Sequence, residues 1–379
     1  MTARYLQEEH HIFRDAFRKF LEKEAYPYYN DWEKQGLIPR EFWTKMGDNG
    51  FLCPWVEEQY GGLGADFGYS TVIGEELEKV GSSTIGITLH NDIVVPYLEI
   101  YGTEEQKRKW LPKCISGECI TAIAMTEPGA GSDLAGVKTS AVKDGDHYIV
   151  NGQKTFITNG ILADLIVVVC KTNPKERHKG ISLLVIERDT PGFSRGRKLE
   201  KVGLHSQDTA ELIFEDSKVP ASNLLGEEGK GFYYLMEQLQ QERLLVAISA
   251  QTAAEVMLKQ TLTYVKERQA FGQSISKFQT VQFRLAEMAT EVEIGRTFLD
   301  ELIEQHIAGK DVVTKVSMAK YWITDMAKKV ANECMQLHGG YGYMEEYEIA
   351  RRYRDIPVSA IYAGTNEIMK TIIAKNMGL

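Results

Sequence analysis

The chain has 379 residues, a formal net charge of -9, 43% hydrophobic residues and 26% charged residues, the balance of an ordinary soluble globular protein with room for two or three domains. The negative total argues against nucleic acid as the main partner, although a local cluster of Arg and Lys can still hold a small anionic ligand. No stretch approaches the ~20 apolar residues of a membrane span, and the opening MTARYLQEEHHIFRDAFRKFLEK lacks a signal peptide's apolar core.

Five cysteines, Cys53, Cys114, Cys119, Cys170 and Cys334, have no CxxC spacing. Neither a disulfide scaffold nor a metal site is expected, and a reducing, cytoplasmic location is.

Residues 1–118 read as helical. Ile12, Phe13, Phe17, Phe20 and Leu21 recur at helical spacing, and Thr103 with Gln106 makes a capping-box pattern ahead of KRKWLPKCI. From 119 to 225 the texture changes to short runs rich in Ile and Val: TAIAM, HYIVNG, ADLIVVVC, GISLLVIE and TAELIFED, separated by turn clusters such as KDGD and RDTPG. A modest β domain is expected there. After GEEGKG the strands stop, and two amphipathic stretches of more than 25 residues each predict a helix bundle over 226–379.

Within this frame, AMTEPGAGSDLAG at 124–136 approaches a dinucleotide fingerprint but lacks its third small residue, and VKTSAVKDGDHYIV after it reads as strand and turn rather than helix. Its glycines and hydroxyls can face a flat polar ligand or a phosphate; a loop that is Gly-rich only to turn is an equal reading of the segment alone. In the first long helical stretch, Leu235, Leu239, Glu242 and Val246 share one narrow face, with Arg243 turned about 100° away. A glutamate in an apolar stripe is expensive to bury charged. Periodicity therefore favours a helix-terminal or salt-bridged Glu242 and, for Phe271, a core aromatic; a solvated helix charge stays open as a reading of Arg243. Arg268 beside a Gly-Gln loop suits a phosphate, which needs a fixed cation.

AMTEPGAGSDL, NGQKTFITNG (151–160), ERQAFGQ (267–273), QLHGGYGY (336–343) and IYAGTNEI (361–368) follow the order and approximate spacing of the acyl-CoA dehydrogenases. This resemblance spans nearly the whole chain. AIAMTEPGAGSDL, DTAELIFED, GFYY, QERLL and IYAGTNEIMK are most similar to the long-chain branch.

The resemblance implies a mainly α fold with a β domain: an N-terminal α-helical domain (1–118), a middle β-barrel (119–225) and a C-terminal four-helix bundle (226–379), assembled as a homotetramer. It also implies FAD. Thr126 and Ser132 would bond the flavin ring edge, and Phe156 with Thr158 would cover the ring. Arg268, Phe271, Gln279, Gln336, Gly339 and Gly340 would hold the pyrophosphate and adenosine end, partly from a neighbouring subunit, and Thr365 and Glu367 would complete the contacts. Ser132, Arg243, Tyr362 and Gly364 would meet the acyl-CoA substrate. The implied reaction is oxidation of a thioester between Cα and Cβ, with electrons passing to an electron-transferring flavoprotein.

One position departs from the common pattern. Most relatives carry the catalytic glutamate directly after the loop tyrosine, where this chain has Ala363. Resemblance to the long-chain and isovaleryl branches assigns the base to Glu242 of QERLL instead, and leaves Ala363 its backbone N–H for the thioester oxygen. Burial would raise the pKa of Glu242 towards the working range. Tyr362 stands where isovaleryl-type enzymes have glycine, so straight medium to long chains are expected. The rival readings are an isovaleryl-type enzyme, a flavin oxidase or monooxygenase on the same fold and, without FAD, a non-catalytic helical binding protein.

Overall fold

A computed structural model describes residues 4–379. Seven α-helices precede the sheet: α1 (Glu8–Glu24), α2 (Tyr29–Gln35), α3 (Arg40–Asp48), α4 (Phe67–Val80), α5 (Ile85–Leu89), α6 (Val95–Tyr101) and α7 (Glu104–Ile115). The spacing in α1 works for Phe17 and Leu21, which are buried, but Ile12 is 65% exposed. The expected capping box opens α7: Gln106 N–H donates to Thr103 Oγ1 at 3.2 Å and Thr103 N–H to Gln106 Oε1 at 2.9 Å. Between α5 and α6 the helix widens into a π segment, His90–Val94.

Eight strands follow: β1 (Thr121–Ala124), β2 (Ser140–Asp144), β3 (His147–Thr158), β4 (Leu165–Lys171), β5 (Ile181–Glu187), β6 (Phe193–Lys198), β7 (Thr209–Pro220) and β8 (Leu224–Leu225). They form one sheet in the order β6-β7-β3-β2-β4-β5-β8, with β1 parallel to β4. The unbroken apolar run of β4 is explained by burial on both faces. Ile166 and Val168 join Leu184, Ile186 and Tyr148 in the sheet's own core, while Val167 and Val169 join Leu183, Tyr97, Trp110 and Leu235 against the helices. The strand FSRGRK, β6, was not expected, because its arginines and lysine hide any alternation.

The bundle comprises α8 (Gly231–Glu267), α9 (Gln279–Ile307), α10 (Val313–His338) and α12 (Asn366–Asn376), with the short α11 (Glu348–Asp355) alongside. Strands do not stop entirely after residue 231. A two-residue hairpin, β9 (Gln269–Ala270) and β10 (Gln273–Ser274), turns through Phe271 and Gly272 at φ 51° and 79°.

Buried ion pairs tie the N-terminal helices to the bundle. Arg352 of α11, 1% exposed, donates to Glu348 Oε1 at 2.6 Å, to Glu78 Oε1 at 3.3 Å and to the carbonyls of Glu78 and Lys79. Arg352→Met leaves Glu78 buried without its cation, and is expected to lower stability by about 3–5 kcal/mol, as removing one partner of a buried pair does. Urea unfolding of the variant beside the wild type measures this.

Candidate active site

Helix α8 runs for 37 residues without an interior glycine or proline, so one of its faces crosses the molecule unbroken. Leu235, Leu239 and Val246 on that face are buried. Glu242 lies between them in mid-helix and forms no ion pair among the described residues, which overturns both readings that periodicity favoured. The residue as a whole keeps some accessible surface, yet its Oε2 is sealed from solvent and has no hydrogen-bond partner. Burial pushes the Glu242 carboxyl up to about 7, against the pull of Arg243 and Lys320.

Arg243 is not a solvated charge. It is 6% exposed, and its Nε donates to the Ala363 carbonyl at 3.4 Å. Ala363 and Gly364 occupy the left-handed region in succession, at φ 55° and 88°. For an alanine this costs on the order of 1 kcal/mol, so the surroundings must hold it there. Besides Arg243, Lys320 of α10 does so, donating from Nζ to the Gly364 carbonyl at 2.8 Å and to Asn366 Oδ1 at 3.0 Å. Among the described residues the Ala363 N–H donates to no protein acceptor. Tyr362 is half-buried, and burial, together with Glu78, Glu242 and Asp355, raises its hydroxyl pKa. Tyr97 of α6 brings a second buried hydroxyl, unpartnered, into the field of Glu242.

Four elements thus converge on one carboxylate. Sequence reasoning found Glu242, Arg243, Tyr362, Ala363 and Gly364, and missed Tyr97 and Lys320. Lys320 was legible by the signal that marks Glu242: a charge inside an apolar helical stripe, here between Val316 and Ile323.

The loop carrying Thr126 is fastened to β3 by a fully buried lysine. Lys154 Nζ donates to Glu127 Oε1 at 2.8 Å and to the Met125 carbonyl at 2.9 Å, and Thr155 N–H donates to the Thr126 carbonyl at 2.9 Å. The β3–β7 register shifts between Lys154 and Ile157, and Phe156 in that bulge stands at φ 61° and 68% exposed. Bulges re-aim side chains in this way beside functional sites. Thr158 ends the same strand half-buried, and Ser132 is exposed on the loop. A Cβ on Gly129 or Gly131 would meet nothing within 4 Å, so the chain's own packing does not explain these glycines.

At the bundle's end Arg268, Gln336, Gly339 and Gly340 line one open cavity of about 450 Å³ with Tyr264 and Tyr341. Arg268 lies over the Tyr341 ring at 5.2 Å. Phe271 is 94% exposed, so it is no core aromatic. Gln279 opens α9 on the surface. No hydrogen bond or aromatic contact links this group to Thr126, Ser132, Phe156 or Thr158 among the described residues. Thr365 caps α12, accepting from Ile368 N–H at 3.4 Å, and Glu367 beside it is exposed. A flat, polar, phosphate-bearing group suits these features: an exposed ring held in a bulge, free hydroxyls, open glycines and an arginine at a cavity. FAD fits the residues present.

Among the described residues no cluster of three or more His, Cys, Asp or Glu side chains could hold a metal ion, and no helix is long and apolar enough to cross a membrane.

Three family models match in order: the acyl-CoA dehydrogenase N-terminal domain over residues 7–118, the middle domain over 122–217 and the C-terminal domain over 229–378. The mitochondrial long-chain specific acyl-CoA dehydrogenase of Sus scrofa is 50% identical over 376 residues, 99% of this chain and 87% of that protein. The crystal structure of an acyl-CoA dehydrogenase from Geobacillus kaustophilus superposes with a TM-score of 0.99 at 79% identity, covering 100% of both chains. A Mycobacterium smegmatis glutaryl-CoA dehydrogenase in complex with FADH2 gives a TM-score of 0.92 at 29% identity, over 99% of this chain and 96% of that one. This chain belongs to the acyl-CoA dehydrogenase family. The mitochondrial relative gives the cytoplasmic expectation no support.

The raised pKa of Glu242 has a stability signature. The folded state binds its proton more tightly than the unfolded chain, so this group's contribution falls as pH rises from the ordinary carboxylate value of 4.5 through about 7. Glu242→Gln is therefore expected to be more stable than the wild type at pH 8.5, by about 3 kcal/mol at most, with the gap shrinking at pH 5. Urea unfolding at the two pH values reads the difference.

Proposed function

We propose that this member of the family oxidises straight acyl-CoA thioesters of medium to long chain between Cα and Cβ, as in fatty-acid β-oxidation, with Glu242 as the base. One observation carries the reading: a buried carboxylate with an unpartnered oxygen stands in a field shared with Tyr362 and Arg243, beside a loop whose Ala363 N–H is free.

The α proton of a thioester is weakly acidic, so its removal needs both a desolvated base and a donor for the enolate oxygen. Near neutral pH a group with a pKa of about 7 is present in both forms, able to take a proton and to release it. Ala363 N–H donates to the thioester oxygen, and Arg243 keeps residue 363 in place by holding the next peptide through the Ala363 carbonyl. FAD is the cofactor and supplies the acceptor for the hydride that leaves Cβ. Thr126, Ser132, Phe156 and Thr158 would hold its ring, and Arg268, Phe271, Gln279, Gln336, Gly339 and Gly340 its phosphate and adenosine end, with Thr365 and Glu367 nearby. Ser132, Arg243, Tyr362 and Gly364 would meet the substrate.

Electrons then pass to an electron-transferring flavoprotein. In support, the Gly-rich loop runs through a single 3-10 turn into β2 rather than into a helix, so no fingerprint for NAD is formed. A homotetramer is supported by the bundle end, where Phe271 and Tyr343, 94% and 76% exposed, would be costly to leave in water. The long-chain name of the half-identical relative supports the chain length, as does the bulk of Tyr362.

Octanoyl- and dodecanoyl-CoA are expected to bleach the flavin anaerobically, with higher kcat/KM than isovaleryl-CoA. A preference for the branched substrate would refute the role given to Tyr362. Glu242→Gln should keep FAD and bind acyl-CoA, yet reduce flavin slower by a factor on the order of 10² to 10⁴. Adding Ala363→Glu should restore part of this, because the backbone already holds the left-handed turn but the pocket is not shaped to aim the new carboxylate. Stopped-flow absorbance of the two variants decides; full activity in Glu242→Gln alone would remove the base assignment.

A further inference from the structure

Lys320 is fully buried on α10. Its ammonium has two partners, the Gly364 carbonyl and Asn366 Oδ1, and no carboxylate within ion-pair distance among the described residues. A buried charge without a counter-ion is costly, and burial lowers the pKa of the Lys320 ammonium to about 8, so it carries its charge below that pH; a neutral donor could have made either bond. The partners are themselves fixed. Asn366 Nδ2 donates to the Tyr321 carbonyl, Thr324 Oγ1 and Asp325 Oδ1 at 3.0–3.2 Å, so the side chain that receives Lys320 cannot swing away.

The charged groups around Lys320 are Arg243, Asp325, Glu367 and Glu242. Asp325 and Glu367 are exposed and solvated; Glu242 is the carboxylate with a sealed, unpartnered oxygen. Around Glu242 itself stand Arg243 from its own helix, Lys320 from α10, Tyr97 from α6 and Tyr362 from the loop.

We propose that Lys320 is a positioning residue of the reaction: it clamps the Gly364 carbonyl so that Ala363 presents its N–H to the substrate oxygen, and its charge supports the anion on both sides of the proton transfer. The inference rests on the function proposed above. Before the transfer the negative charge is on Glu242. Afterwards Glu242 carries the proton and the charge is on the thioester oxygen at Ala363 N–H, with one peptide between that N–H and the carbonyl that Lys320 holds. A neutral donor at residue 320 would keep the clamp and lose the charge, so the two contributions can be separated.

The test uses the FAD-loaded enzyme and two variants, Lys320→Met, which loses clamp and charge, and Lys320→Gln, which keeps a donor. Flavin content is read from absorbance, then flavin reduction by octanoyl-CoA is followed anaerobically across pH. In the wild type, reduction should be lost as pH falls through about 7, where Glu242 takes up its proton. Removing a nearby cation weakens the anionic form of Glu242, so in both variants this limb should move up by about 1 pH unit. At saturating substrate and about pH 7.5, below the pKa of about 8 to which burial lowers Lys320, Lys320→Met should be slower than its smaller fraction of ionised Glu242 explains, by a further factor on the order of 10 to 10². Lys320→Gln should recover most of that rate, while its limb stays shifted. KM should change little in either.

Rates and limbs that match the wild type would overturn the proposal. So would a rate loss with the limb unmoved in both variants, or failure of both to fold with FAD, since each would make Lys320 a structural residue only. If the wild type itself holds FAD and no acyl-CoA bleaches it, the function proposed above fails and this inference falls with it. If the wild type is bleached and both variants match it in rate and limb, only the role of Lys320 fails.

Discussion

Removing a carboxylate from water without a hydrogen bond costs several kcal/mol unless the group takes up a proton or finds a counter-charge. Glu242 has neither a hydrogen-bond partner on Oε2 nor an ion pair, and burial places its pKa at about 7. The folded chain tolerates this because the rest of the molecule supplies the stability: three apolar neighbours on the same face of α8, a bundle core behind it, and arginine pairs, half-buried at α9 and buried at α11, joining these helices to the N-terminal ones. A group held uncomfortably in this way suits the role of base proposed for it.

The loop opposite is under a second constraint. Ala363 in a left-handed conformation would relax if its carbonyl and that of Gly364 were free, and both are held by cations, Arg243 and Lys320. The same two cations are the ones that oppose the rise in the Glu242 pKa. The proposed base and the proposed oxyanion donor are therefore coupled through shared side chains. In the proposed reading, a carboxylate on the helix instead of the loop does not require a new loop geometry, because the backbone N–H of residue 363, rather than its side chain, has the remaining task there.

The sheet domain solves a separate problem with a similar device. Lys154 and Glu127 are buried opposite charges, and Glu127 also accepts from the N–H groups of Lys138 and Thr139 at 2.6 and 2.9 Å. Together they fasten the Gly-rich loop at both ends, and the adjacent bulge turns Phe156 outwards. Satisfied on this scale, a buried ion pair acts as a rigid staple, and the flat apolar ring is left exposed for a ligand to cover.

How much of this was legible depended on whether the signal was local. The helical texture of 1–118, the capping box at Thr103 and Gln106, the strands TAIAM, ADLIVVVC and GISLLVIE, and both long bundle helices are consequences of short-range pattern, and each appears where the sequence predicts it. The polar strand β6 and the hairpin around Phe271 carry no alternation, because their edges face solvent, and they were invisible. Periodicity placed Glu242 on an apolar face but could not say that α6, α10 and the 362–366 loop would close over it, so it preferred a paired or terminal glutamate. For the same reason it left a solvated Arg243 open and preferred Phe271 in the core, and both are the reverse. What the sequence by itself determined was which residues share a helix face or a strand. Which of those faces meet, and hence which charges lose their water, was decided only by the tertiary structure, since desolvation is a property of everything packed around a group and not of its neighbours along the chain.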